Sequence, residues 1–106
     1  MLTAATENQL NMEVLLLKKA SLVFKAVNHK LRQDIMHLIH GNSTLTVTQI
    51  YTRLKLQQSV ASQHLAILRR VGFVNTKREG KQIFYSVNYS RLNDVTNQAK
   101  ALIESK

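Results

Sequence analysis

The chain has 106 residues and 44% of them are hydrophobic, which predicts one globular domain with a modest core rather than a disordered chain. Fifteen Lys and Arg against six Asp and Glu give a net charge of +9, which favours a polyanionic partner, above all nucleic acid, over a basic protein without one. The absence of cysteine excludes disulfides, thiolate metal sites and thiol redox switches. No apolar run could span a membrane and the first residues lack a signal-peptide pattern, so we expect a cytoplasmic protein.

The first predicted element is a helix over residues 7–27 that is apolar on two sides. Both sides must be covered, and one small domain rarely covers its first helix so fully. We therefore expect a partner subunit to pack against this helix. The first apolar face consists of Leu10, Val14, Leu17, Ser21 and Phe24, and the second of Leu15, Leu16, Leu22 and Val23.

A second helix is predicted over residues 29–40, because its apolar positions form a single stripe. Asn28 is the expected N-cap, and Gly41-Asn42 marks the expected end. The predicted stripe consists of Leu31, Ile35, Leu38 and Ile39.

A short extended piece is expected at residues 43–45, followed by a third helix. Thr46 and Gln49 match the capping box S/T-x-x-E/Q, which places the start of this helix near Val47. Residues 55–57 then form a tight connection to the next helix. The residues that the third helix should bury are Val47, Ile50, Tyr51 and Leu54.

The fourth predicted helix, over residues 58–71, is the segment that says most about function. One of its faces is polar but mostly uncharged, with a small residue at its middle. Ser and Gln both donate and accept hydrogen bonds, as base edges in a DNA major groove require, whereas a merely solvated helix more often carries Glu and Lys. The polar face consists of Ser59, Ser62, Gln63, Ala66 and Arg70, and the apolar face of Ala61, Leu65 and Leu68.

Two strands are predicted over residues 73–78 and 82–88, joined by a turn at Glu79-Gly80. A last helix follows over residues 90–104. Its apolar seam is too short for a coiled coil of its own, so it should pack against the first helix of the same or a second subunit. The seam consists of Leu92, Val95, Ala99 and Leu102.

Helix, tight turn, helix and hairpin, in this order, predict a winged helix-turn-helix, in which the second helix of the pair enters the major groove. The charge distribution agrees, since seven of the fifteen cations lie within residues 53–81, together with one acid. Hairpin cations would neutralise phosphates and add affinity rather than sequence choice. The predicted DNA-binding residues are Gln57, Gln58, Ser59, Ser62, Gln63, His64, Arg69, Arg70, Lys77, Arg78 and Lys81.

Each of these assignments has a plainer alternative. The fourth helix could be an ordinary solvated amphipathic helix, although its capped neighbour and basic hairpin favour DNA binding. His64 either donates to a phosphate or packs half-buried between helices, and the first interpretation is slightly favoured. Arg69 and Arg70 either touch the DNA backbone or only complement the dipole at the helix end.

The sequence contains no catalytic constellation, so neither an enzyme nor a cofactor is predicted. His37 and His40 have a spacing that can place two imidazoles on one metal ion. Neither has a cysteine nearby, and Asp34 is the only neighbouring carboxylate, so solvent exposure or contact with the helix C-terminus is the favoured interpretation and no metal site is predicted.

These residues resemble the ArsR family of winged-helix repressors, the arsenic- and metal-responsive regulators of bacteria. The resemblance covers residues 24–87 and rests on Phe24-Lys25-Ala26, Arg32 and Ile35, on S-V-A-S-Q-H-L-x-x-L-R-x-x-G-F-V, and on R-E-G-K-x-x-F-Y. It implies a homodimer held by the first and last helices. It also implies an imperfect inverted repeat in a promoter, with half-sites about one helical turn apart, and repression that an unknown effector relieves.

The chain departs from the family at the metal-sensing positions. Where metal-sensing members carry Cys-x-Cys, it has Thr46 and Thr48, and where others carry ligands on the last helix it has Tyr89, Arg91, Leu102 and Ser105. Neither set offers the ligands of a transition metal. Three local departures leave the hairpin and fourth helix unchanged: His29-Lys30 replaces Asp-Pro, Tyr51 a small residue, and Lys55 the Gly of the turn.

The predicted fold is therefore mainly α with a small β-hairpin wing, a single domain over residues 1–106 with about five helices. Residues 1–27 and 89–106 are its dimerisation helices, residues 46–71 its helix-turn-helix and residues 73–88 its wing. The predicted interface residues are Leu10, Val14, Leu17, Leu92, Val95, Ala99 and Leu102. The predicted function is sequence-specific binding of double-stranded DNA by a homodimeric transcriptional regulator. A non-specific nucleic-acid module and a protein-interaction module are the alternatives, and an aromatic content of only 6% disfavours the first of them.

Overall fold

The computed structural model describes residues 4–105, with side chains from Thr6 onward, and these residues form five helices and three strands. The elements are α1 (Ala4–Val27), α2 (Lys30–Asn42), β1 (Leu45–Thr46), α3 (Val47–Arg53), α4 (Gln58–Arg70), β2 (Val74–Glu79), β3 (Gln82–Val87) and α5 (Tyr89–Glu104). This order confirms the predicted winged helix-turn-helix. Residues 1–3 and 106 of the predicted dimerisation segments lie outside the described residues.

The core lies where α2, α3 and α4 meet, because each of these helices turns one apolar stripe inward. Phe73, just after α4, extends the core, and its carbonyl accepts a hydrogen bond from the Asn88 N–H at 2.9 Å. That bond joins the end of α4 to the residue that caps α5. The largest fully buried side chains are Ile35, Ile39, Ile50, Leu65, Leu68 and Phe73. None of the helices within residues 4–105 is long and apolar enough to cross a bilayer.

The sheet contains one strand more than the predicted hairpin. β1 pairs antiparallel with β3, through Leu45 opposite Tyr85, so the strand order is β1-β3-β2. The extended piece predicted at residues 43–45 therefore begins later, at Leu45, because Ser43 adopts a φ of 66° and the chain bends there.

The turn of the wing is displaced by one residue from the prediction. Glu79 pairs with Gln82, so the loop is Gly80-Lys81 rather than Glu79-Gly80. Gly80 adopts a φ of +63°, which glycine takes without steric cost at the first position of a two-residue hairpin loop. Lys81 is thereby placed at the tip of the wing.

The capping box of α3 is confirmed. Oγ1 of Thr46 accepts the N–H of Gln49 at 3.2 Å, and Oε1 of Gln49 accepts the N–H of Thr46 at 2.9 Å. Thr46 also belongs to β1, so one residue ends the strand and starts the helix.

The N-cap of α2 is His29 and not Asn28 as predicted. Nδ1 of His29 accepts the N–H of Leu31 at 3.1 Å, which is the role that an Asn or Ser oxygen plays at most helix starts. The Asn28 N–H instead donates to the carbonyl of Lys25 in the last turn of α1. At its other end α2 continues through the predicted stop, to Asn42.

The turn between α3 and α4 has the tight geometry of a helix-turn-helix although it contains no glycine. The N–H of Leu56 donates to the carbonyl of Tyr51 at 2.9 Å, and Lys55 adopts a φ of 56°. A left-handed conformation costs a residue other than glycine about 1–2 kcal/mol. Lys55 therefore keeps the turn at a cost in stability that the surrounding packing offsets.

α1 and α5 leave most of their apolar surface uncovered. Leu17 is 71% exposed and Leu102 is 67% exposed, while Leu92 and Val95 are half-buried against the core of their own chain. A groove of about 510 Å³ separates the two helices and is lined by Leu16, Leu17, Val23, Phe24, Val95 and Leu102, among others. The remaining predicted interface residues, Leu10 and Val14, are exposed, and Ala99 is half-buried.

Candidate nucleic-acid interface

α4 presents the predicted polar face to solvent. Ala61, Leu65 and Leu68 are fully buried against α2 and α3, and this orientation of the helix determines which residues point outward. Before the last turn, the exposed residues are the N-cap Gln57 and Gln58, Ser59, Ser62, Gln63 and Ala66. The Gln and Ser side chains among them form a convex strip of amide and hydroxyl groups about two turns long, which suits a major groove because these groups both donate and accept hydrogen bonds.

The three wing cations differ in their surroundings. Lys77 Nζ lies 3.3 Å from a carboxylate oxygen of Glu79, whereas Nε of Arg78 donates to the carbonyl of Gly80 at 3.3 Å. Neighbouring residues of a strand alternate between the two faces of the sheet, so Lys77 and Arg78 point to opposite sides of the wing. Lys81 lies in the loop at the tip and is exposed.

Arg69 and Arg70 lie in the last turn of α4, at the end farthest from Gln58. Twelve residues at about 1.5 Å each place Arg70 roughly 18 Å from Gln58 along the axis. Arg70 lines a cleft with Leu22 and Lys25 of α1. Both arginines are exposed and carry their charge where the helix dipole is negative, so the geometry accommodates either of their predicted roles.

His64 is half-buried between α4 and the start of α2. Its ring centroid lies 4.6 Å from that of His29, and its Nδ1 lies 3.4 Å from Nη1 of Arg32. Burial lowers the pKa of His64, and the neighbouring His29 and Arg32 lower that pKa further. A guanidinium only donates, so Nδ1 accepts and Nε2 carries the proton of the neutral ring. The Nε2–H remains the group through which the predicted phosphate contact would form.

His37 and His40 lie beside an apolar pocket of about 200 Å³, which Met36, Val87 and Leu92 also line. Nδ1 of His40 is 2.7 Å from the hydroxyl of Tyr89 and forms a hydrogen bond between α2 and α5. Within residues 4–105 no group of three or more His, Cys, Asp or Glu side chains comes together.

The positions at which metal-sensing regulators hold ligands have other roles in this fold. Thr46 is the buried cap of α3, Tyr89 bonds to His40, and Nε of Arg91 donates to the carbonyl of Val71 at 3.0 Å. With Thr48, Leu102 and Ser105 at the remaining positions, neither set contains a thiolate, an imidazole or a carboxylate. These donors do not fit a transition metal.

Arg32 is the residue whose importance the sequence analysis missed. It entered only as one letter of a family pattern, yet its guanidinium contacts both α1 and α4. An arginine in the first turn of a helix, directly after a helix end, is the signal that could have found it, because the last carbonyls of the preceding helix need donors.

Comparison with known proteins gives one consistent family. The sequence profile described as "Bacterial regulatory protein, arsR family" matches residues 29–76. The transcriptional activator HlyU of Vibrio cholerae is 38% identical over 86 residues, which are 81% of this chain and 72% of HlyU. The transcriptional repressor PagR of Bacillus anthracis is 34% identical over 73 residues, 69% of this chain and 73% of PagR.

Solved structures agree with this family. The crystal structure of PagR superposes with a TM-score of 0.63 at 30% identity, and covers 80% of this chain and 98% of PagR. An ArsR-like regulator from Rhodococcus sp. RHA1 superposes with a TM-score of 0.72 over 82% of this chain and 81% of that one, and its 22% identity supports the fold alone.

The low pKa of His64 makes folding depend on pH. The folded state binds this proton less tightly than the unfolded chain, whose histidine pKa is about 6.5. The contribution of neutral His64 to the stability of the fold is therefore complete above that pH and falls as the pH decreases below it.

We expect the free energy of unfolding in urea to be smaller at about pH 5.5 than at about pH 7.5. This difference should shrink in His64→Gln, whose amide oxygen can still accept a hydrogen bond from Arg32. His37→Gln, on the exposed side of α2, is the control, and an equal pH dependence in wild type and His64→Gln would contradict the assignment.

Proposed function

This chain is a DNA-binding transcriptional regulator of the arsR family, and we propose that it acts as a sequence-specific repressor that binds an inverted-repeat operator as a homodimer. The observation that carries the proposal is the exposed, uncharged polar face of α4 beside a cationic wing. Such a regulator works in the cytoplasm, where the chromosome lies, and the proposal assigns it no catalytic step.

The two parts of this surface have different tasks. Gln side chains pair with adenine through two hydrogen bonds, whereas Ser side chains form hydrogen bonds with several bases. The polar face therefore supplies sequence specificity. Arg78 and Lys81 supply phosphate contacts, which contribute affinity whatever the sequence. A non-specific single-strand binder would need an aromatic platform, but Phe84 and Tyr85 of β3 are half-buried.

Repression is the proposed direction of regulation. PagR of Bacillus anthracis and SdpR of Bacillus subtilis are named repressors, whereas HlyU is named an activator. A domain of this size that occupies a promoter can block polymerase by its position alone.

The homodimer is proposed from the uncovered surface of α1 and α5. Contiguous apolar surface of this extent marks an interaction site, and an interface that repeats on both copies is the commonest way to cover it. A related regulator from Mycobacterium bovis, 24% identical, is described as a homodimeric winged helix-turn-helix DNA-binding domain. The exposed large apolar residues of the two helices are Leu10, Met12, Val14, Leu15, Leu16, Leu17, Leu22, Phe24, Tyr89, Leu102 and Ile103.

The dimer can be tested on α1. Leu17→Glu places a charge in the apolar surface, and we expect sedimentation equilibrium to show a shift from dimer to monomer with unchanged helix content. Asn97→Glu adds the same charge on the polar side of α5, in line with Asn93 and Lys100, and should leave the dimer intact. A wild-type chain that sediments as a monomer at concentrations far above those that bind DNA would contradict the homodimer.

Gln63 provides the test of sequence reading. Wild-type protein is used to select duplexes from a random-sequence pool, and affinities are then measured for an enriched duplex and for a shuffled duplex of the same composition. We expect Gln63→Ala to weaken binding to the enriched duplex by about 1–3 kcal/mol and to leave the shuffled duplex almost unaffected. Asn93→Ala removes an exposed amide from α5 and is the matched control. Equal weakening on both duplexes would mean that Gln63 does not read bases, and a pool without enrichment would favour the non-specific module.

Lys81 provides the test of the phosphate contacts. We expect Lys81→Ala to weaken binding to every duplex alike and to lower the slope of log affinity against log salt concentration by about one unit per subunit. Lys77→Ala is the control on the same wing, and it should change the slope less, because Lys77 is already paired with Glu79. A slope unaffected by Lys81→Ala would remove the tip of the wing from the DNA contact.

A further inference from the structure

The junction between α1 and α2 contains a hydrogen-bond network that DNA binding by α4 alone does not explain. A helix leaves its last four carbonyls without partners inside the helix, and only two residues separate the end of α1 from the start of α2. Two side chains of α2 reach back to these carbonyls. Nε of Arg32 donates to Ala26 at 2.6 Å, and the side-chain amide of Gln33 donates to Val27 at 2.7 Å.

Arg32 also reaches a third partner on another helix. Its Nη2 donates to the carbonyl of Lys25 at 3.3 Å, and its Nη1 points to Nδ1 of His64 at 3.4 Å. One guanidinium therefore joins the C-terminal end of α1, the first turn of α2 and the middle of α4. A positive charge is favourable at a helix C-terminus, which holds the group in place.

His64 connects this group to the proposed reading surface. It directly follows Gln63 on α4 and lies between the buried residues Ala61 and Leu65. Its ring contacts both the ring of His29 and the guanidinium of Arg32. Burial of the apolar stripe decides which side of α4 faces the core, but apolar contacts are not directional and tolerate small shifts and rotations. The Arg32–His64 contact is directional and limits these small shifts of α4 along and around its axis.

We propose that Arg32 is a positioning residue for DNA reading, which holds α4 through His64 at the orientation in which the polar face meets base edges. The role rests on the proposed sequence-specific function. Arg32 is partly buried and acts through another side chain rather than by contact with DNA. A lysine cannot replace it, because one ammonium has no planar fork to reach carbonyls of α1 and His64 together.

The test uses Arg32→Lys and Arg32→Gln, with Lys30→Gln as the control. Lys30 is also a cation of α2, but it is exposed and paired with Asp34 at 2.7 Å, away from α4. Each variant is titrated with the duplex that wild-type protein enriches from a random-sequence pool and with its shuffled counterpart. We expect both Arg32 variants to lose about tenfold in the ratio of the two affinities, comparable to the loss of one base contact, and Lys30→Gln to keep the wild-type ratio.

A second measurement reports on the contact itself. NMR titration of the His64 ring should give a higher pKa in Arg32→Gln than in wild type, because the nearby cation that disfavours protonation is gone. A residue that merely stabilised the fold would leave this titration unchanged.

The outcomes separate this proposal from the function on which it rests. Unchanged ratios in folded Arg32 variants, or an unchanged titration of His64, would overturn the positioning role while the sequence-specific function stands. A wild-type protein that enriches no sequence would overturn the proposed function and the positioning role with it. If circular dichroism shows that Arg32→Gln is unfolded, the affinity ratio of Arg32→Lys tests the positioning role. If both variants are unfolded, the positioning role is overturned and Arg32 is a residue that stabilises the fold.

Discussion

The burial of one apolar stripe on α4 is the constraint on which the rest of the structure depends. Ala61, Leu65 and Leu68 are inaccessible to solvent, and truncation of a buried leucine costs about 2–5 kcal/mol in a packed core. Because α4 has only one way to bury these residues, its polar side has only one way to face outward. The residues that read DNA in the proposed function are thus oriented by residues that never approach it.

The proposed function assigns sequence specificity and affinity to different elements of the chain. The exposed middle of α4 carries amides and hydroxyls, whereas Arg78 and Lys81 lie on the wing. Cations on the polar face itself would bind any duplex and lower the contrast between sequences. The pair of Lys77 and Glu79 lowers the free positive charge on one side of the wing.

The sequence predicted those features that depend on neighbouring residues. The capping box of Thr46 and Gln49 gave the start of α3, and the spacing of Ala61, Leu65 and Leu68 gave the orientation of α4. Features that depend on distant pairing were missed or misplaced. β1 is a strand only because β3 lies beside it, forty residues later, and the register of Glu79 with Gln82 decides the turn. The cap by His29 was missed because histidine is not among the preferred N-cap residues, and the fork of Arg32 because it depends on the approach of α1, α2 and α4 in space. The sequence was enough to propose the roles of individual residues on DNA.

The position of Arg32 bears on how a regulator without the ligands of the metal-sensing members could be released from DNA. A ligand or partner changes affinity only if it contacts the DNA-bound and the released conformations differently. Thr46 and Thr48, together with Tyr89, Arg91, Leu102 and Ser105 in and beside α5, offer no metal such a difference, because none of them is a thiolate, an imidazole or a carboxylate. α1 carries most of the uncovered apolar surface. The guanidinium of Arg32 bonds to the Ala26 carbonyl at the end of this helix and also contacts His64. In the proposed homodimer, a shift of α1 against the partner subunit would reach α4 through the hydrogen bonds of Arg32 and through the direct packing of α1 on α4.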